Sequence, residues 1–352
     1  MKKLVLISAF LILFTGSLAH SQSRIIVENA LETLVFDHFE DALAAAQPGA
    51  IIYLPGGAIN IGTSYIEKEL TIYGAGHYPA FTEATGITML NGTIYLRQAD
   101  PEIPLENIHL EGFYISGDIR IGSSSTNQEV NQVNIFRCSM NNIYLSAGTT
   151  TIGDAEQVHV IESIIRGNVY GGRVQNVLFS KNIIQGLFHY FDANALFTNN
   201  VFLNYTTSTI STSFRYIENS TFQNNVILCR SGGSCFNNMS ANNFNNNMWH
   251  HNFSVPTGST GENNIINLEI DDIFINHTGH DFNYDFNYQL KVGSPGTAAG
   301  TDGFDIGVYG TVRPFKEGSV PVIPHIKSKS IATETDVDGK ISVEIEVEAQ
   351  DE

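Results

Sequence analysis

Arg137, Glu162 and Lys181 are charged residues whose spacing suits chemistry. Each directly precedes a small polar residue, in segments of one pattern: Ile135-Phe-Arg-Cys138, Val160-Ile-Glu-Ser163 and Phe179-Ser-Lys-Asn182. If these segments are strands stacked about 4.8 Å apart, the three side chains form a column of alternating sign. A lysine or arginine there could take the C5 proton of a sugar while a second cation neutralises the uronate carboxylate, the chemistry of a polysaccharide lyase. Opposite charges on neighbouring strands are also ordinary stabilising pairs, and that is the stronger reading. Arg137, Glu162 and Lys181 are therefore weak catalytic candidates, and the catalytic residues stay unassigned.

A second constellation is aromatic. Phe188-His-Tyr-Phe-Asp192 sets four rings in succession, and on a strand two of them face outward. Tyr170, Tyr190 and Tyr205 fall at similar positions of their segments. Rings beside Asn, His and Asp suit the apolar faces and hydroxyls of sugars. Tyr170, Phe188, His189, Tyr190, Asp192 and Tyr205 are thus the expected glycan-binding set, with packing beneath loops as the competing use. Trp249 reads as core. Asp271, Asp272, Asp281, Asp285, Asp302 and Asp305 carry enough oxygen for calcium, but their spacing matches no compact loop. Turn formation accounts for most of them. His250-His251 is no better as a transition-metal site. No metal or cofactor is expected, calcium being the one ion these oxygens would suit.

A repeat must position these residues. Asn182, Asn200, Asn225 and Asn247 each follow a phenylalanine by three positions, at Phe179, Phe197, Phe222 and Phe244. Each precedes an apolar pair: Ile183-Ile184, Val201-Phe202, Val226-Ile227 and Met248-Trp249. Cys138 and Ser163 occupy the same slot earlier, and the steps from Cys138 onward are 25, 19, 18, 25 and 22 residues. Stacked strands tolerate such uneven steps, because insertions go into loops while the register is kept. The pattern predicts two short strands meeting at a bend, with stacked side-chain amides bonding along the column. The expected fold is all-β, a right-handed parallel β-helix of about eight to ten coils. Loops over 123–129, 147–154 and 206–212 should project from its corners.

Residues 1–21 read as a secretory signal: Lys2-Lys3, an apolar run from Leu4 to Phe14, and Ala19 and Ser21 before cleavage at Gln22. The expected location is extracellular or at the cell surface, with the periplasm as the alternative and no integral membrane segment. Without Lys2 and Lys3, 16 basic side chains face 36 acidic ones. That field repels nucleic acid and anionic glycans. Cys138 reads as a small buried thiol. Cys229 and Cys235 flank Arg-Ser-Gly-Gly-Ser, and export favours a disulfide closing that loop; reduced thiols in adjacent coils are the alternative.

Phe39 to Ala46 reads as an amphipathic helix covering the open first coil. It leads to Leu54-Pro-Gly-Gly57 and Leu70-Thr-Ile-Tyr-Gly-Ala-Gly76. Together these resemble the N-terminal part of secreted bacterial right-handed β-helix proteins of the pectate-lyase-like superfamily. Tyr288-Gln-Leu-Lys-Val-Gly-Ser-Pro-Gly296 and Gly303-Phe-Asp-Ile-Gly-Val-Tyr-Gly310 look like closing coils of the same group. The resemblance spans residues 25–315 and implies fold rather than chemistry, since the group includes lyases, hydrolases, esterases, adhesins and inert scaffolds. The closely spaced aspartates of polygalacturonase-type hydrolases are missing. So are the Trp-Ile-Asp-His segment of pectate lyases and the Gly-x-Val-Asp-Phe pattern of pectin esterases.

The expected organisation is a signal over 1–21, the β-helix over 22–310, and a proline-containing linker with a C-terminal β-hairpin over 311–352. Ile341, Val343, Ile345 and Val347 give the hairpin one apolar face, which should cap the final coil or dock an exported partner. The leading expectation is a non-catalytic module that binds extracellular polysaccharide or joins a surface assembly. A polysaccharide lyase or glycoside hydrolase is the alternative, and a structural adhesin or spike the third.

Overall fold

The structure is a computed structural model describing residues 24–122, 128–146, 152–192, 194–204, 213–229 and 235–349. The signal sequence and its cleavage at Gln22, Tyr205, the loop 206–212 and most of the loops at 123–129 and 147–154 lie outside the described residues. So does the chain between Cys229 and Cys235.

The chain is nearly all β and builds long parallel sheets. Successive strands pair in parallel into three stacks. The first stack runs from Ala50–Tyr53 through Val177–Ser180, Ala195–Thr198 and Thr221–Gln223 to Thr260–Glu262. The second consists of two-residue strands from Tyr114–Ile115 to Met248–Trp249. The third runs from Ile119–Ile121 to Phe236–Ser240. The long strands Gly57–Ile66 and Thr88–Leu96 contribute to both of the latter.

Register within the first stack is unshifted at the core position. Ile52, Ile72, Leu110, Ile135, Val160, Phe179, Phe197, Phe222 and Phe244 lie opposite one another in succession. All are fully buried. The phenylalanine rings stack with centroids 5.8, 4.6 and 5.0 Å apart. The helix Phe39–Ala45 covers the first rung by burying Phe39 and Ala42. At the far end Phe253 stacks on Trp249 at 4.1 Å, beside Phe236 and Phe244. Cys229 and Cys235 are disulfide-bonded, with Cα atoms 5.6 Å apart.

The bend between the first and second stacks is held by amides. Oδ1 of Asn200 accepts the Asn182 backbone N–H at 2.9 Å and its Nδ2 at 3.0 Å. Nδ2 of Asn200 donates to Asn225 Oδ1 at 3.0 Å and to the Phe179 carbonyl at 2.8 Å. Two donors and two lone pairs are all used, so a fully buried amide is fully satisfied. Asn225 and Asn247 repeat this, and the ladder ends at Asn264, which takes the Asn247 N–H and Nδ2 at 3.1 Å. Earlier, Ser163 Oγ accepts the Cys138 N–H at 3.2 Å, and Asn182 Oδ1 accepts that of Ser163 at 2.9 Å. Burial pushes the Cys138 thiol well above its usual range, so it packs as an apolar group.

The residue before each slot has left-handed backbone: Arg137, Glu162, Lys181, Asn199, Asn224, Asn246 and Asn263 have φ between 50 and 56°. Asparagine tolerates this conformation best among non-glycine residues. Five of these side chains fasten the chain's return. Asn246 Nδ2 donates to the Ala299 carbonyl at 2.8 Å, and Asn224 exchanges bonds with Thr301 at 2.8 and 3.0 Å. Asn199 donates to the Gly307 and Gly310 carbonyls, Lys181 to Arg313, and Arg137 to Val320. Val322 N–H reaches Glu111 Oε1 at 3.1 Å. Residues 299–322 therefore form a strap running back from the last rungs to the rung of Glu111. A Cβ on Gly112 would meet Pro321 Cγ at 2.4 Å, so glycine is required where the strap ends.

Residues 273–315 also cover the outer face of the second stack. Ile164, Ile183, Val201, Val226 and Met248 are buried beneath Ile273, Phe274, Tyr288, Ile306, Val308 and Phe315. Tyr284 ties down one edge, its hydroxyl 3.0 Å from both His77 Nδ1 and Arg166 Nη2. The segments from Tyr288 and Gly303, expected as closing coils, are part of this cover. Asn287–Leu290 pairs antiparallel with Phe274–Asn276. A break at residue 310 is not seen either, since the strap crosses it. The reason is the second stack's paired apolar residues: with alternate side chains facing in and out, the outward member needs burial too.

The C-terminal hairpin forms, His325–Ile331 against Val343–Glu348, but it does not cap the final rung. Every residue from 326 to 349 is exposed, and the strap has already carried the chain back to Glu111. Truncation after Pro324 should therefore leave the melting temperature unchanged, whereas truncation after Pro295 should lower it sharply. Asn200→Ala should destabilise the protein by about 1–3 kcal/mol in chemical denaturation, because it strands buried groups on both neighbouring rungs.

Candidate functional site

The outward face of the third stack carries one residue per rung in a continuous column. Tyr65, Tyr95, Arg120, Tyr144, Tyr170, His189, Arg215 and Asn237 lie opposite one another in that order. Their inward neighbours, among them Ile119, Ile143, Val169, Phe188 and Phe214, are buried in the core, and this anchors each strand's outward side chain. Tyr144 and Tyr170 are stacked at 4.6 Å and 9°, and His189 follows Tyr170 at 5.3 Å. The Arg97 guanidinium lies 3.7 Å above Tyr65, and that of Arg120 3.9 Å above Tyr144. Such cation–π contacts hold ring and guanidinium in one orientation. Carboxylates neutralise these arginines: Glu67 is 2.6 Å from Arg97, and Asp118 2.7 Å from Arg120.

A second, shorter row runs beside it. Tyr190 and Tyr216 stack face to face at 5.0 Å and 1°. Both have left-handed backbone, with φ of 59 and 54°, at a position where the next rung has Asn238 at 51°. A bulky residue here is an outlier costing roughly 1–2 kcal/mol. Strain of this kind is retained where the side chain has a task.

Among the described residues, His189 Nε2 and Arg215 Nε are buried on adjacent rungs without hydrogen-bond partners. Burial, followed by the charge of Arg215, lowers the His189 pKa to about 4. The imidazole is therefore neutral at neutral pH, a hydrogen-bonding group rather than a charge.

Of the expected glycan-binding residues, Tyr170 and His189 share this column and Tyr190 lies beside it. Asp192 is exposed at the end of the His189 strand. Phe188 does not belong to the set. It is 1% exposed and packs in the core against Phe179, Phe197 and Phe202. The left-handed turn at Tyr190 breaks the alternation, so Phe188 and Phe191 both face inward, and Tyr170 lies opposite His189 rather than Tyr190. Trp249 is core. Tyr65, Tyr95, Arg120, Tyr144, Arg215 and Tyr216 were not singled out by sequence; the signal that could have found them is an aromatic or arginine beside the first inward residue of each third-stack strand.

Arg137, Glu162 and Lys181 do stack on successive rungs. Glu162 accepts from Arg137 Nε at 2.9 Å and Lys181 Nζ at 2.5 Å. Both cations also donate to strap carbonyls, so the trio is a clamp. The six aspartates considered for calcium do not gather: among the described residues no three His, Cys, Asp or Glu side chains are grouped to hold a metal. Asp302 and Asp305 instead accept backbone N–H groups of Phe304 and Ala298 in turns.

Compared with protein-family models, curated proteins and solved structures, the chain matches none.

Tyr190→Asn should be close to neutral in stability, because relieved strain of about 1–2 kcal/mol offsets a ring pair of about 0.5–1.5 kcal/mol. Chemical denaturation measures it; a loss like that of a core tyrosine would show the ring to be structural. Acid should act in part through His189, alongside the buried His77, whose pKa burial lowers further, to about 3. The folded pKa of His189 lies below the ordinary 6.5, so its contribution is intact above pH 6.5 and is lost as pH falls towards 4. His189→Gln should make the stability profile shallower across that window.

Proposed function

We propose that this chain is a secreted right-handed parallel β-helix of the pectate-lyase-like kind, acting as a non-catalytic module that binds neutral extracellular polysaccharide. The observation carrying the reading is the outward column from Tyr65 to Asn237, with its strained companion pair Tyr190 and Tyr216. Half-buried rings fixed in a row present their outer edges and phenolic hydroxyls to successive sugar units.

Charge decides between neutral and acidic glycans. The chain carries −18 overall, two of the face's arginines are neutralised by Glu67 and Asp118, and His189 is uncharged at neutral pH. An acidic chain would meet long-range repulsion with little local compensation. Secretion rests on the N-terminal signal pattern, and handedness on the sequence resemblance.

Calorimetry against a panel of neutral oligosaccharides tests this. Tyr144→Ala and Tyr170→Ala should each weaken binding several-fold, since one ring contact is worth on the order of 1 kcal/mol, while circular dichroism stays unchanged. Unsaturated or reducing-end products appearing during the titration would overturn the non-catalytic reading. Wild-type affinity in both variants would remove the column as the site.

A further inference from the structure

A cavity of about 290 Å³ lies between the first stack and the strap, outside the aromatic column. Its floor is the clamp of Arg137, Glu162 and Lys181, and its rim carries Arg313 and Lys316 from the strap. Four of the chain's 18 basic side chains thus surround one cavity in a protein of net charge −18. Glu162 is the single carboxylate in the lining, and it is already engaged by Arg137 and Lys181. Arg313 and Lys316 side chains make no ion pair among the described residues. The remaining walls are apolar, with Phe136 and Ile161 on the stack side and Val312, Pro314 and Val322 on the strap side.

We propose that this cavity binds a small organic carboxylate, its charged end between Arg313 and Lys316 and its apolar body against Phe136 and Pro314. The volume is at the lower end of small-molecule pockets. A surplus of cations gathered around one cavity attracts an anion more strongly than the same cations spread apart in solvent. Apolar walls suit a carboxylate on a hydrocarbon or aromatic body. A phosphate, with oxygens on every side, would leave those turned to Phe136, Ile161 and Pro314 without donors. A ligand here touches both strap and stack, so its binding stabilises the return of the chain. The proposal is independent of glycan binding on the third stack.

Benzoate is a suitable probe, titrated into the full-length protein by calorimetry at low salt. Saturable one-to-one binding is expected. Arg313→Gln and Lys316→Gln should each weaken it at least about tenfold, as loss of a hydrogen bond to a charged group does. Their melting temperatures without benzoate should match the wild type, because both side chains belong to the rim. Benzyl alcohol, with the same ring and no charge, should not bind. Absence of saturable binding, unchanged affinity in both variants, or equal binding of benzyl alcohol would overturn the proposal. Binding of inorganic phosphate in place of benzoate would overturn the assignment to an organic carboxylate.

Discussion

The amide ladder at the bend is the interaction on which the other features depend. A sharp bend takes backbone N–H groups out of the sheet pairing, and burying them unpaired would cost about 1–3 kcal/mol each. The asparagine side chain supplies an acceptor for the rung before and a donor for the rung after. It also sets the register, because Oδ1 of one rung must meet the N–H of the rung before it. With register fixed and a side-chain period of two, equivalent residues on successive turns are superposed.

Superposition turns single residues into columns, and each column has its own physics. Inward, aliphatic side chains in the early rungs give way to phenylalanines in the later ones. At the bend, the left-handed residues project side chains that hold the strap. Outward on the second stack, apolar residues call for the cover from Ile273 to Phe315. Outward on the third stack, the column is aromatic and polar, and its rings stay half-buried against one another. This is the face on which the proposed polysaccharide site rests. Its spacing is set by the backbone, so ring positions do not depend on flexible loops.

Much of this was legible in sequence, because the ladder demands one residue type at one position. Asn182, Asn200, Asn225 and Asn247 and their phenylalanines were placed by spacing alone. Asn264 was missed because Gly261 stands where the four preceding rungs have phenylalanine. The cover and strap were misread as closing coils and linker. Their contacts lie up to 211 residues away in sequence, and backbone carbonyls accepting from asparagines leave no side-chain signature. The outward column was only half visible, since a strand seen alone does not reveal that Arg120 interrupts a run of tyrosines. The row at Tyr190 was displaced because a left-handed tyrosine is improbable from local propensity.

The claim joining fold to function is that the stack presents one continuous, rigid row of sugar-contacting positions. Its most direct test is the dependence of affinity on chain length for a neutral oligosaccharide series, measured by calorimetry. The account predicts that affinity rises with each added sugar unit while successive rungs between Tyr65 and Asn237 are engaged, and then levels off. Full affinity already reached with a mono- or disaccharide, and no gain on extension, would contradict it.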